Sequence, residues 1–287
     1  MKTETLTYPK IEFLSIGHFT HDVAGDTFIL GGAAAYSSKT AVNLGIKAGI
    51  VSAVGDNFLH FDKLDGIPLS LAKGKETTTF QNIYENGVRR QFIRGISSAL
   101  KADHVPQEWV DTGIVYICPV ANEVDPSIVH IFRNSIIGVS PQGWMRQWDK
   151  EGRIAPSIWK HAKEVLPYVD ALIMSEEDIS PFPDVIEEYK ELVSMMILTR
   201  GERGSTLFTN GEAIDFPAFK TNVTDPTGAG DVFATAFLIK YSQTLDPHKA
   251  SIFANCTASF VVERQGMQGI PDLDSVLHRM KNYSQNV

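Results

Sequence analysis

Short apolar runs recur along this chain with helix-length segments between them. Ile11–Gly17, Ala48–Val54, Ile114–Cys118, Ser135–Val139, Asp170–Met174, Met196–Thr199 and Ser205–Thr209 are the clearest. None alternates cleanly between apolar and polar residues, which is the pattern of strands buried on both faces. Gly32–Gly45 is rich in small residues and helical in length, and helical patterns follow most of the other runs. Strand–helix–strand repetition over the whole length predicts an α/β fold with a parallel sheet covered by helices. The length of 287 residues allows one large domain or two small ones. No internal repeat, low-complexity tract or linker divides it, so a single domain is expected.

Composition narrows the class. Lys and Arg number 26 against 34 Asp and Glu, a net charge of −8, which argues against a protein built to grip a phosphate backbone. Small anions stay open, because a few backbone N–H groups suffice to hold one. Cys118 and Cys256 cannot form a disulfide framework and read as buried thiols of a reducing compartment. No run of 18 apolar residues exists, and the N-terminal segment lacks the apolar core of a signal peptide. A cytoplasmic protein with no membrane or nucleic-acid partner is the expectation.

One region departs from the parallel pattern. Thr77–Tyr84 and Val88–Ile93 flank Glu85-Asn86-Gly87, and Asn-Gly between strand-like runs signals a hairpin. The pattern alone leaves two readings open, a small β lid over a site or an extension of the main sheet.

Acids gather where such a sheet would place a ligand, beyond the carboxyl ends of its strands. Asp22 follows the first run, Asp56 the second, and Glu176, Glu177 and Asp178 the run at 171–174. Each taken alone also suits a helix cap. The stretch Thr224-Asp225-Pro226-Thr227-Gly228-Ala229-Gly230-Asp231 runs into the apolar segment Val232–Tyr241. Pro226 delays the helix start, and the glycines remove side chains where the chain turns into it. The N–H groups of Gly228, Ala229 and Gly230 would then form an anion hole at a positive helix end, with Asp231 beside it. A carboxylate there suits proton removal from a hydroxyl attacking a bound phosphoryl group. On physical grounds alone the stretch reads equally as a glycine-rich turn with a favourable helix charge.

Competing motifs fail. Ala33–Thr40 ends in Ser-Lys-Thr but has Ala33 and Ser38 where a Walker A loop needs glycine. No GxGxxG or protein-kinase set is present, and His18 and His21 have no further His or Cys cluster to complete a metal site.

Together these residues resemble the ribokinase/PfkB family of carbohydrate kinases. DPTGAGD at 225–231 is similar to that family's C-terminal motif and GGAAAYSSKTAVNLG at 31–45 to its N-terminal one. Thr199-Arg200-Gly201-Glu202-Arg203-Gly204 is similar to its T-x-G-x-x-G turn. The resemblance implies a three-layer sandwich with a mostly parallel central sheet, carrying a β lid around 77–94 that also takes in a strand at 23–30. It implies Asp231 as general base and Gly228, Ala229 and Gly230 as anion hole. Asp22 would hold substrate hydroxyls, while Gly31 and Gly32 let the substrate approach the backbone. ATP would lie near Thr199, Gly201 and Gly204 with adenine toward Asn255–Gly266, and Mg²⁺ would act on its phosphates. Asp225 and Thr227 match a monovalent-cation site of some members, so K⁺ activation is an expectation, as is a homodimer through the lid.

Departures from the family pattern mark this chain. The usual Asn-x-x-Glu is Ser175-Glu176-Glu177-Asp178, leaving Asp178 and Glu177 as candidate Mg²⁺ residues. Tyr36 replaces an asparagine of the substrate pocket, and Asn57–Thr77 is too short for the helix that normally precedes the lid. In Gly143-Trp144-Met145-Arg146 the arginine is a candidate substrate or phosphate contact and the tryptophan a candidate sugar platform; a surface ion pair beside a core tryptophan is the alternative. The Ser-Glu-Glu variant and the loop Pro141–Trp144 are similar to a plant-type inositol-kinase branch. A neutral polyol such as myo-inositol, or a simple sugar, is the first expectation for the acceptor, and a nucleoside the second. Arg89, Arg90 and Arg94 keep a sugar phosphate open. A catalytically weak ligand sensor is the reading from another class, motivated by the altered metal residues.

Overall fold

The computed structural model describes residues 7–85 and 88–284. In chain order the strands are β1 (Phe13–Ile16), β2 (Thr20–Ala24), β3 (Thr27–Gly31), β4 (Ala48–Val54) and β5 (Leu69–Lys73). β6 (Thr78–Glu85), β7 (Val88–Gly95), β8 (Ile114–Ile117), β9 (Ile136–Val139) and β10 (Arg146–Trp148) follow. The last are β11 (Ile154–Pro156), β12 (Ala171–Ser175), β13 (Met195–Thr199), β14 (Ser205–Thr209) and β15 (Glu212–Phe216). The α-helices are α1 (Ala33–Asn43), α2 (Ala162–Val165), α3 (Glu176–Ile179), α4 (Val185–Leu192), α5 (Ala229–Thr244), α6 (Pro247–Val261) and α7 (Leu273–Ser284).

Among the described residues the main sheet runs β15-β14-β13-β12-β9-β8-β1-β4-β5. Every pair from β5 to β13 is parallel, and β14 and β15 are antiparallel additions at one edge. The continuous apolar runs are explained directly: β1, β4 and β8 are buried along their whole length. One core lies between the sheet and α1, α5 and α6. The other joins the sheet to the segments around Trp109, Ile128, Trp159 and Tyr189. This is the expected three-layer α/β architecture. On that second face several connections are short 3₁₀ segments instead of the expected helices, at 102–104, 107–109 and 126–131. The segment 57–77 is likewise one 3₁₀ turn, Phe61–Leu64, followed by edge strand β5.

β1 sits beside β8 while the chain leaves it toward β4 and β5. The crevice at such a switch point, beyond the strands' carboxyl ends, is where an open α/β sheet binds ligands. A second sheet, ordered β3-β2-β6-β7, stands over that crevice. It is the expected lid, assembled from 20–31 and 78–95, and its central β2–β6 pair is parallel. The Asn86-Gly87 turn lies outside the described residues, as does the Arg89 side chain. An unexpected addition is the β10–β11 hairpin, which braces the lid's outer strand through Ile93 N–H to Gly152 O (2.8 Å) and an Arg94 bond to Glu151 O (3.0 Å). No described helix is long and apolar enough to cross a membrane.

Candidate active site

The loop 225–228 delivers α5 to the crevice. Both Asp225 carboxylate oxygens are engaged, one accepting from Thr227 N–H and the other from Gly266 N–H, each at 3.0 Å. Burial tends to raise the Asp225 carboxyl, but these bonds outweigh it and hold the group below the usual range. Gly228 then turns at φ +79°, a conformation costly for any residue with a Cβ, and α5 begins at Ala229. The Ala229 N–H folds back to Pro226 O at 3.2 Å. Of the expected anion hole, the N–H groups of Gly228 and Gly230 are those that the helix start leaves without an intrahelical acceptor, at the positive end of 16 residues of helix.

Asp231 follows in the first turn, partly buried over the carboxyl end of β8. Burial raises its carboxyl to about 7, against the lowering effects of a Tyr116 hydrogen bond and the Arg146 guanidinium; Asp178 adds to the rise. The Tyr116 hydroxyl lies 3.3 Å from Asp231 Oδ1 and 2.7 Å from Ser140 Oγ. Arg146 is anchored by Val120 O (2.9 Å) and Gln142 Oε1 (2.8 Å), and its guanidinium lies 5.4 Å from the centre of the Phe80 ring on the lid. With Gln91, Gln142, Glu177 and Asp178 it lines a cleft of about 350 Å³. A carboxylate poised near neutrality beside free amides is suited to deprotonating a hydroxyl while the amides receive negative charge. Trp144 is not part of this surface. It is buried and stacked on Trp159 at 5.2 Å, its indole N–H bonded to Val124 O.

On the acceptor side, the Asp22 carboxylate folds over Gly31, where an added Cβ would overlap both it and the Thr20 hydroxyl. Thr20 donates to Asp22 Oδ1 at 3.2 Å. Asp22 pairs with Phe80 across β2–β6, so both face the cleft. On the same face, Asn82 of β6 stands opposite Gln91 of β7. These two amides escaped the sequence analysis, because alternation assigns a lid residue to a face only once register is known. Arg94 belongs to the opposite face, bonded to Gln81 and Glu151. Tyr36 is buried, its ring packed under Gly228. Burial, then the charges of Asp225, Asp22 and Asp231, push its hydroxyl pKa upward.

The expected donor residues occupy the ends of β12 to β14. Thr199 Oγ1 bonds to Met174 O at 3.2 Å, and Arg203 pairs with Glu176, joining the turn at 200–204 to α3. Gly201 and Gly204 both have positive φ, and a Cβ at Gly204 would overlap Phe216 O. Asp178 closes a capping box on Ser175 N–H (3.0 Å) and accepts from Gln142 (3.1 Å), while Glu177 extends into the cleft. Asn255 is buried, its amide bonded to Ser205 and Ser251 O, so it braces α6 against β14. A cavity of about 1320 Å³ opens beside Thr224, between 219–224 and the ends of α6 and α7. In its wall Glu263 binds both Thr221 and Arg279, whose guanidinium stacks 3.3 Å from the centre of the Phe260 ring.

A doubly covered parallel sheet, a lid over its switch point and an aspartate at an amide-rich helix start make an arrangement suited to phosphoryl transfer to an alcohol. Comparison with known proteins agrees. The model of the pfkB family of carbohydrate kinases matches residues 146–273. A nucleoside kinase of Methanocaldococcus jannaschii is 27% identical over 270 residues, covering 88% of this chain and 86% of that protein. An inositol 3-kinase of Arabidopsis thaliana is 25% identical over 277 residues, covering 90% and 76% respectively. The crystal structure of M. jannaschii nucleoside kinase, an archaeal member of the ribokinase family, superposes with a TM-score of 0.75 at 25% identity, covering 95% of this chain and 99% of that one. The C-terminal half thus matches the pfkB carbohydrate kinases, and the chain over most of its length is similar to kinases of the ribokinase family.

Proposed function

We propose that this protein transfers the γ-phosphoryl group of ATP to a hydroxyl of a small neutral polyhydroxy compound, a sugar or a polyol of the myo-inositol type. The observation that carries the reading is Asp231, a carboxylate raised to about 7 beside the Gly228 and Gly230 N–H groups. Asp231 takes the proton from the attacking hydroxyl, whose electron pair forms the new O–P bond as the bridging pair leaves with ADP. The amides, with Arg146, receive the charge that builds on the transferred group. Asp22, Asn82 and Gln91 present acceptors and donors suited to several hydroxyls. The cavity beside Thr224 has room and an aromatic wall for the nucleotide's base. Glu177 and Asp178 supply the carboxylates that fit an ATP-bound Mg²⁺ held largely through water, and the metal would neutralise phosphate charge. Asp225 and Thr227 are the proposed K⁺ residues, tested by assay in potassium against choline chloride. Homodimerisation through the lid is tested by sedimentation.

A nucleoside acceptor is the second reading. It is favoured by Ile29, which pairs with Asp22 on the cleft face and is 49% exposed, an apolar surface that suits a base better than a polyol. The nucleoside kinase relative points the same way.

ADP release with Mg·ATP across inositols, pentoses, hexoses, sugar phosphates and nucleosides separates the readings, run beside Asp231→Asn. A neutral polyol or sugar signal that collapses in the variant supports the first reading, and a nucleoside signal the second. A turnover that survives Asp231→Asn overturns the assignment of the base.

A further inference from the structure

β8 is buried along its whole length, and its other residues, Ile114, Val115 and Ile117, are apolar. Tyr116 places a hydroxyl among them with no exposure to solvent. A buried hydroxyl is costly unless bonded, and this one meets two polar groups: Ser140 Oγ at 2.7 Å and Asp231 Oδ1 at 3.3 Å. A phenol has one proton, so it donates to one of them at a time. Burial first, then the charge of Asp231, raises the phenol well above its ordinary range, so it remains a donor at every working pH.

We propose that Tyr116 is the positioning residue of the catalytic carboxylate: its hydroxyl donates to Asp231 while that group is ionised and turns to Ser140 once Asp231 carries the substrate's proton. This rests on Asp231 being the base. At Tyr116 the two states differ only in where the phenol proton points. No proton leaves Tyr116; the proton taken up by Asp231 comes from the acceptor hydroxyl. The bond aims Oδ1 and steadies the charged carboxylate in a site whose burial disfavours it. Ser140 gives the phenol a second acceptor, so protonation of Asp231 strands no donor.

The sign follows from which form the bond favours. A donor to the ionised carboxylate lowers its pKa, so removing it moves the titration upward and shrinks the competent fraction at neutral pH. Tyr116→Phe keeps the ring that fills the space and removes only the oxygen. The Asp231 carboxyl is titrated by carbon-13 NMR, with Asp231→Asn assigning the signal, and kcat/KM is followed against pH with Mg·ATP and the acceptor that the panel identifies. The expected result is an upward move of about one pH unit in both the carboxyl titration and the acid limb, as for loss of one bond to a charged group. Activity recovers at high pH while the KM for ATP holds. Fluorotyrosine at 116, a more acidic donor, moves both the other way, and it serves if the phenylalanine variant folds poorly. An unmoved carboxyl titration overturns the proposal and leaves Asp231 as the base. A moved titration with an unmoved kinetic profile overturns Asp231 as the base, and the proposal with it. A loss of rate equal at every pH also overturns it.

Discussion

Asp231→Asn should destroy turnover and stabilise the fold, and the two effects have one cause. The carboxyl has a reference pKa of 3.8 and stands at about 7 in the folded chain, with burial as the main cause. The folded protein therefore binds more protons than the unfolded chain between those values, and stability falls as pH rises through that window. Below about pH 4 the group is neutral in both states and contributes nothing. Above about pH 7 the fold carries the full penalty of an ionised, partly buried carboxylate. A rise of this size corresponds to about 4 kcal/mol, and residual solvent contact reduces the realised figure to about 1–3 kcal/mol. Asparagine keeps the shape and an oxygen for Tyr116 but never ionises. The variant should unfold about 2–8 °C above the parent at pH 8 and level with it near pH 4, while turnover falls by about 10²–10⁴. Thermal and urea unfolding of both proteins at the two pH values checks this, since other titrating groups cancel in the difference. A variant equally stable or less stable at pH 8, or one stabilised equally at pH 4, refutes the idea that the site holds its base at a cost in stability.

Three further outcomes follow from the same geometry. Asp22→Asn should raise the acceptor KM by about 10–100-fold with a smaller change in kcat. Gly31→Ala, whose Cβ displaces that carboxylate, should do the same, and the double variant should be no worse than either alone. Arg146→Met removes a charge that lowers the Asp231 carboxyl, so the acid limb of kcat/KM should move to higher pH. Gly204→Ala meets both a positive φ and Phe216 O, and it should cost about 1–3 kcal/mol in urea unfolding.

The parts of this fold legible in the sequence are those set by local chemistry. Apolar runs without alternation identified the buried strands, because a strand covered on both faces has no polar side to show. The stretch 224–231 disclosed its loop because Pro226 and Gly228 act on backbone angles directly. The hairpin of the lid was visible as two strand-like runs, but the segment 23–30, expected as one strand, is divided by a turn at Gly25 between β2 and β3. The lid's mixed order was not visible, since the parallel β2–β6 pairing joins segments more than fifty residues apart. The 3₁₀ turns that replace helices on one face are equally tertiary: buried side chains such as Trp109 and Ile128 fill that layer without regular helices.

The site divides along the same line. Asp231 and the glycines before it lie within one turn of chain, so their relation is local. The groups that set the behaviour of Asp231 come from four other places: Tyr116 on β8, Ser140 after β9, Arg146 at the start of the hairpin and Asp178 in α3. Tyr116 and Ser140 are not distinguishable in sequence from a core tyrosine and a loop serine, and Arg146 and Asp178, though candidates for other roles, carry no sequence sign that they surround Asp231; Asp178 is also a helix cap. Arg146 carries the argument furthest. It is fixed to Val120 beside the base, lies against Phe80 of the lid, and starts the hairpin that braces β7. A displacement of the lid would thereby reach a charge that tunes the base. The acceptor that closes the lid most completely should also be the one for which Asp231 is most often ionised, which makes discrimination appear in kcat and in its pH dependence as well as in KM.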